Sequence, residues 1–67
     1  MQIHVNGKPR QLGGNLPSVA TLIRELGLEG KRIAVERNGA IVPRSRYEAT
    51  LLGNGDTLEI VAAVGGG

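Results

Sequence analysis

Two Asn-Gly dipeptides, Asn6-Gly7 and Asn38-Gly39, each stand between short runs of alternating apolar and polar residues. Both residue types tolerate the positive φ that a two-residue hairpin turn requires, so each dipeptide predicts a pair of antiparallel strands. The first pair puts Ile3 and Val5 on one face of the leading strand and ends its second strand at Leu12. Pro9 cannot donate to a ladder, which sends that second strand to a sheet edge. The second pair runs over Arg32 to Arg37 and Ala40 to Val42, where Pro43 stops it.

What lies between and after the hairpins fixes the rest. Beyond the loop "GGNLPS", Ser18 is placed to cap a helix; Val19, Leu22, Ile23 and Leu26 recur at helical spacing, and Gly27 suits a left-handed C-terminal cap. Ser45 and Glu48 have the spacing of a capping box, predicting one helical turn before Leu51 and Leu52. Gly53-Asn54-Gly55 is a turn. The last strand, "TLEIVAAV", sends Leu58, Ile60, Ala62 and Val64 to one face and Thr57, Glu59, Val61 and Ala63 to the other. A single apolar helical stripe is buried most economically across one face of a small mixed sheet. The expected fold is therefore α+β, a ubiquitin-like β-grasp, with the main helix on one face, a short helical turn before the last strand, and that strand central and parallel to the first. Residues 1–64 form one domain and residues 65–67 a flexible tail. The predicted core contains Ile3, Val5, Val19, Leu22, Ile23, Leu26, Ile33, Val35, Leu58 and Ile60.

Composition excludes several kinds of chemistry. At 67 residues the chain buries only about 60% of its unfolded surface, leaving little core in which to form an enzyme pocket. It has no cysteine, and its one histidine, His4, has no evident second ligand, so neither a thiol nucleophile nor a metal site is expected. The net charge of +2 invites nucleic acid, but the acidic and basic residues are interleaved and Tyr47 is the sole aromatic, so a base-stacking platform is missing. No apolar run approaches a membrane span, and the N-terminus does not read as a targeting segment, which makes the cytoplasm the expected location and leaves no role for a membrane.

The chain ends in Gly65, Gly66 and Gly67. A terminal carboxylate is a poor acyl donor because oxide is a poor leaving group; joined to AMP it becomes a reactive mixed anhydride. Glycine suits such a terminus, since without Cβ it can thread a narrow channel and leave the carbonyl open to attack. The alternative is a frayed end without chemistry.

The segments "VNGKP", "VERNGAIVPRSRY", "GDTLEIV" and the terminal "VGGG" resemble the ThiS-type sulfur carriers of thiamine biosynthesis. That resemblance covers the whole chain and is least marked at "GGNLPS". It implies that a ThiF-like adenylating enzyme, using ATP and magnesium, activates the Gly67 carboxylate. Sulfur from a persulfide donor such as a cysteine desulfurase then converts it to a thiocarboxylate. A ThiG-like thiazole synthase receives the sulfur, and Gly65 with Gly66 forms the arm that delivers it. The chain would then be a cosubstrate and not an enzyme, with no permanently bound cofactor. Rival readings are the small subunit of molybdopterin synthase, another ubiquitin-like carrier, or a noncatalytic interaction module.

Four further residues are candidates for docking. Val61 and Ala63 are small apolar residues on the outer face of the last strand, where a partner can approach closely, unless the chain's own loops cover them. Arg44 and Arg46, beside Tyr47, suit an acidic partner surface or a solvated rim. His4 is expected on the outer sheet face as an ordinary exposed side chain, and the Asn-Gly pairs serve only as turns.

Overall fold

A computed structural model describes residues 1–15 and 17–62. Both Asn-Gly pairs adopt the backbone their sequence predicts: φ is +52° at Asn6 and +82° at Gly7, and +52° at Asn38 and +87° at Gly39. The first turn joins β1 (Gln2–Val5) to β2 (Lys8–Gln11), and the second joins β3 (Ile33–Arg37) to β4 (Ala40–Val42). The last strand, β5 (Thr57–Ala62), inserts between the two hairpins, so the sheet order is β2-β1-β5-β3-β4. It runs parallel to β1 and antiparallel to β3. Pro9 accordingly lies on an edge strand, where its missing N–H costs no ladder bond.

The helix α1 (Val19–Glu25) is short, and nearly all of its terminal backbone groups have partners. Four amide groups at a helix start lack intrahelical acceptors. Here the Val19 amide donates to the Thr50 carbonyl and the Ala20 amide to the Tyr47 carbonyl, so the segment before β5 closes over the helix end. The Thr21 amide donates to Ser18 Oγ, and the Ser18 amide reaches back to Thr21 Oγ1, completing a capping box. At the other end Gly27 takes φ +73°, its amide donates to the Arg24 carbonyl, and the Leu28 amide donates to the Ile23 carbonyl. This paired closure is a Schellman cap, and glycine is favoured there because the left-handed backbone strains other residues.

The helix buries Val19, Ala20, Leu22 and Ile23. Its apolar stripe joins a core with Ile3, Val35, Leu58 and Ile60, against which Val5, Leu26 and Ile33 pack while half-buried. Seven of the ten predicted core residues are buried in it, and the other three, Val5, Leu26 and Ile33, only flank it. Leu12, Val42 and Leu52 complete it, contributed by the ends of β2 and β4 and by the segment before β5.

One expectation is corrected. Ser45 and Glu48 form no capping box: the single helical turn is a 3-10 turn at Arg44–Arg46 that begins directly after Pro43, without a side-chain cap. Ser45 therefore sits inside the turn and not ahead of it. Ala62 lies on the face of Leu58 and Ile60, as the alternation predicts, and is exposed there because the buried row of β5 ends at Ile60. Val64 lies outside the described residues, as does the predicted tail of residues 65–67. Among the described residues no helix is long and apolar enough to cross a membrane.

Candidate functional site

The central strand is held in place from both sides. From the β1 side, the Asn6 amide donates to the Leu58 carbonyl at 2.8 Å. The Asn6 side chain then continues the pattern one step further, accepting from the Ile60 amide at 2.8 Å and donating to the Ile60 carbonyl at 3.0 Å. From the β3 side, the Asn38 amide donates to the Thr57 carbonyl, and Asn38 Oδ1 accepts from the Thr57 amide at 3.0 Å. Each Asn therefore does two jobs, because its short amide both tolerates the left-handed turn and mimics a peptide group. Neither bond has a sequence-local signal, and reading the pairs as turn chemistry alone missed this second role.

Asp56 anchors the start of β5. It is buried, and its carboxylate accepts from the Gly53 amide at 2.8 Å, from Arg37 Nε at 2.8 Å and from Asn38 Nδ2 at 3.1 Å. Burial by itself pushes the carboxyl upward, but the Gly53, Arg37 and Asn38 hydrogen bonds and the Arg37 charge outweigh it and hold the group below its ordinary range. These bonds clamp the start of β5 to the β3–β4 hairpin.

Of the predicted site residues, Gly65, Gly66, Gly67 and the docking candidate Ala63 lie outside the described residues. Val61 stands on the outer face, opposite Ala34, and is 57% exposed, so no described loop of the chain covers it. His4 is exposed on the same face, as expected. Arg44 and Arg46 are both exposed but separate: Arg44 borders a hollow of about 210 Å³ floored by Ala20, Ile23, Leu28, Ile33 and Tyr47, whereas Arg46 borders one of about 240 Å³ beside Ile41 and Pro43 at the β4 edge. They do not form one basic patch. Among the described residues no group of three His, Cys, Asp or Glu side chains is placed to hold a metal.

The register places together two groups that sequence reasoning left unassigned. Glu36 and Glu59 are direct partners across β3 and β5 on the outer face, and Ile41, 67% exposed, is the partner of Glu36 on its other side. Alternation alone assigns each Glu to a face, but only the strand register sets them side by side.

Residues 3–67 match the ThiS family. Over 67 residues the chain is 43% identical to the thiazole synthase of Paramagnetospirillum magneticum; the alignment takes in all of this chain and 20% of that protein. Thus the chain spans about a fifth of the length of that relative, which carries a region similar to the whole of it. The sulfur carrier protein ThiS of Bacillus subtilis is 35% identical over 65 residues, covering 97% of this chain and 98% of that one. A crystal structure of the ThiS thiamine biosynthesis protein from Geobacter metallireducens superposes with a TM-score of 0.85 at 33% identity and full coverage of both chains, and it has the same β-grasp arrangement. By sequence and by fold alike, the chain belongs to the ThiS family.

Proposed function

We propose that this protein is a sulfur carrier of thiamine biosynthesis and that the carboxylate of Gly67 is the group that carries the sulfur. The observation that supports the reading most is the family match itself, which runs from residue 3 through Gly65, Gly66 and Gly67. The Bacillus subtilis relative, matched over nearly the whole of both chains, bears the name of a sulfur carrier.

The chemistry follows from the weakness of a carboxylate as an acyl donor. An oxygen of Gly67 attacks the α-phosphate of ATP and expels pyrophosphate, giving an acyl-adenylate from which AMP departs readily. A ThiF-like adenylating enzyme supplies the ATP and magnesium. The outer sulfur of a cysteine desulfurase's persulfide then attacks the carbonyl and displaces AMP, and a second thiol cleaves the resulting acyl disulfide, leaving the thiocarboxylate on Gly67 and a disulfide between the two thiols. Thiazole synthase is the proposed acceptor, a role supported by the thiazole synthase relatives that carry a region like this chain. Gly65 and Gly66 serve as the arm, Val61 and Ala63 as part of the surface that meets the adenylating enzyme, and the cytoplasm as the site of the reaction. The chain acts as a cosubstrate. Its folded part supplies the base of the arm, since β5 is bonded on the β1 side as far as Ile60 and on the β3 side as far as Ala62.

Removal of Gly67 tests the proposal against the interaction-module reading. A carrier loses ATP–pyrophosphate exchange with the adenylating enzyme when Gly67 is removed, while keeping its fold. A module without tail chemistry behaves identically with and without Gly67, and that result rejects the carrier reading.

A further inference from the structure

The outer sheet face holds a charge arrangement that the folded chain by itself leaves unfavourable. Directly opposed residues of an antiparallel pair project on the same side with their Cβ atoms about 5 Å apart, and like charges so placed destabilise the sheet. Glu36 and Glu59 are such a pair. The ion pairs among the described residues are Arg24 with Glu29 and Arg37 with Asp56, and neither involves Glu36 or Glu59. Arg46 borders the neighbouring hollow at Ile41 but makes no ion pair with Glu36.

Apolar surface frames these carboxylates. Ile41 is the cross-strand partner of Glu36, and Val61, two residues beyond Glu59 on the same face, is the partner of the exposed Ala34. Both large side chains are more than half exposed. An open sheet face with apolar side chains beside an uncompensated double negative charge complements a partner surface that presents one cation next to apolar groups.

We propose that this face docks on the adenylating enzyme by taking an arginine of that enzyme between Glu36 and Glu59, with Ile41 and Val61 packed around it. The identity of the partner rests on the carrier reading above. Arginine fits better than lysine because its planar fork offers donors to two carboxylates at once. Exclusion of water by Ile41 and Val61 strengthens the charge interaction relative to an exposed pair. The tail's enzyme is the occupant because Glu59 and Val61 stand only eight and six residues before Gly67 in the sequence, so an enzyme engaging Gly67 works within reach of this face.

Calorimetric titration of the full chain into purified ThiF-like adenylating enzyme, without ATP, reads docking apart from chemistry. The double variant Glu36→Gln, Glu59→Gln is expected to bind about tenfold or more weakly and with a shallower salt dependence. Its Tm should be unchanged or higher, since the repulsion is gone. Unchanged affinity, loss of affinity that tracks a loss of stability, absence of binding by the parent chain, or weakening toward thiazole synthase alone each overturns the proposal. Adding ATP and magnesium separates the two claims. A parent chain that binds through these carboxylates but is never adenylated rejects the carrier reading and supports the docking face. A double variant adenylated with undiminished kcat/KM rejects the docking face and leaves the carrier reading intact.

Discussion

Alternate residues of β5 belong to two surfaces with different demands. On the inner face Leu58 and Ile60 are 0% and 7% exposed, packed with Ile3, Leu22 and Val35 beneath the helix. On the outer face Glu59 and Val61 are exposed, and Glu59 stands against a second carboxylate. The inner row follows the rule that apolar area is removed from water. The outer row departs from what stability alone favours, keeping an aliphatic side chain in water and two like charges together. A strand of six residues thus separates the face that packs the core from the face proposed to meet the adenylating enzyme, and substitutions on its two faces should have opposite signatures.

The largest expected effect lies beyond both faces. Deleting Gly67 or replacing Gly66 with Trp should reduce adenylation by roughly a hundredfold or more, since a misplacement of about 1 Å can cost that much. The denaturation midpoint should not move. A midpoint that falls with activity would mean that the tail is part of the fold, and the separation would fail. On the inner face, Leu58→Ala should cost about 2–5 kcal/mol by urea unfolding, a large share of the stability of so small a domain. A cost below about 1 kcal/mol would show that the inner row is not the core.

The clamp at the start of β5 gives a test in pH. The Asp56 carboxyl is held below its ordinary range in the folded chain. Its contribution is therefore fully present above the unfolded carboxylate pKa, near pH 4, and is lost as the pH falls through the lower folded value. Asp56→Asn should cost roughly 1–3 kcal/mol at neutral pH and flatten the acid limb of the stability profile. An acid limb as steep as that of the parent chain would assign acid sensitivity elsewhere. Asn6→Gly keeps the left-handed turn but removes the two bonds to Ile60, and should cost about 1 kcal/mol. The smallest stability change belongs to the outer face, where Val61→Ser should stay within about 0.5 kcal/mol of the parent chain yet weaken binding to the adenylating enzyme. A Val61→Ser chain that is destabilised but binds normally would reverse the roles assigned to the two faces.

Much of this architecture was legible because local signals agreed with one another. Asn6-Gly7 and Asn38-Gly39 specified the hairpins, Ser18 and Gly27 bounded the helix, and Pro9 marked the edge. Each acts through backbone geometry within a few residues. The features that were not legible depend on distant partners. The bonds from Asn6 to Ile60 span 54 residues, and the opposition of Glu36 and Glu59 exists only once β5 has entered between the hairpins in one register. Ser45 misled for a related reason: its spacing to Glu48 fits a cap, but Pro43 starts the turn earlier. Leu12, Val42 and Leu52 carry no periodic signal of burial, because each sits where a periodic run ends. At the candidate site, alternation placed Val61 on the exposed outer face, whereas the acidic pair required the fold.

The central claim is that Gly67 accepts sulfur. Its most direct test incubates the 67-residue chain with adenylating enzyme, ATP, magnesium and a persulfide source, and then reads the mass of the intact chain and of its C-terminal peptide. A mass increase equal to the exchange of one oxygen for sulfur is expected, confined to the peptide that contains Gly67 and absent when ATP is withheld. A C-terminal peptide unchanged beside an enzyme that modifies a known carrier in the same mixture, or sulfur found on any other peptide, contradicts it.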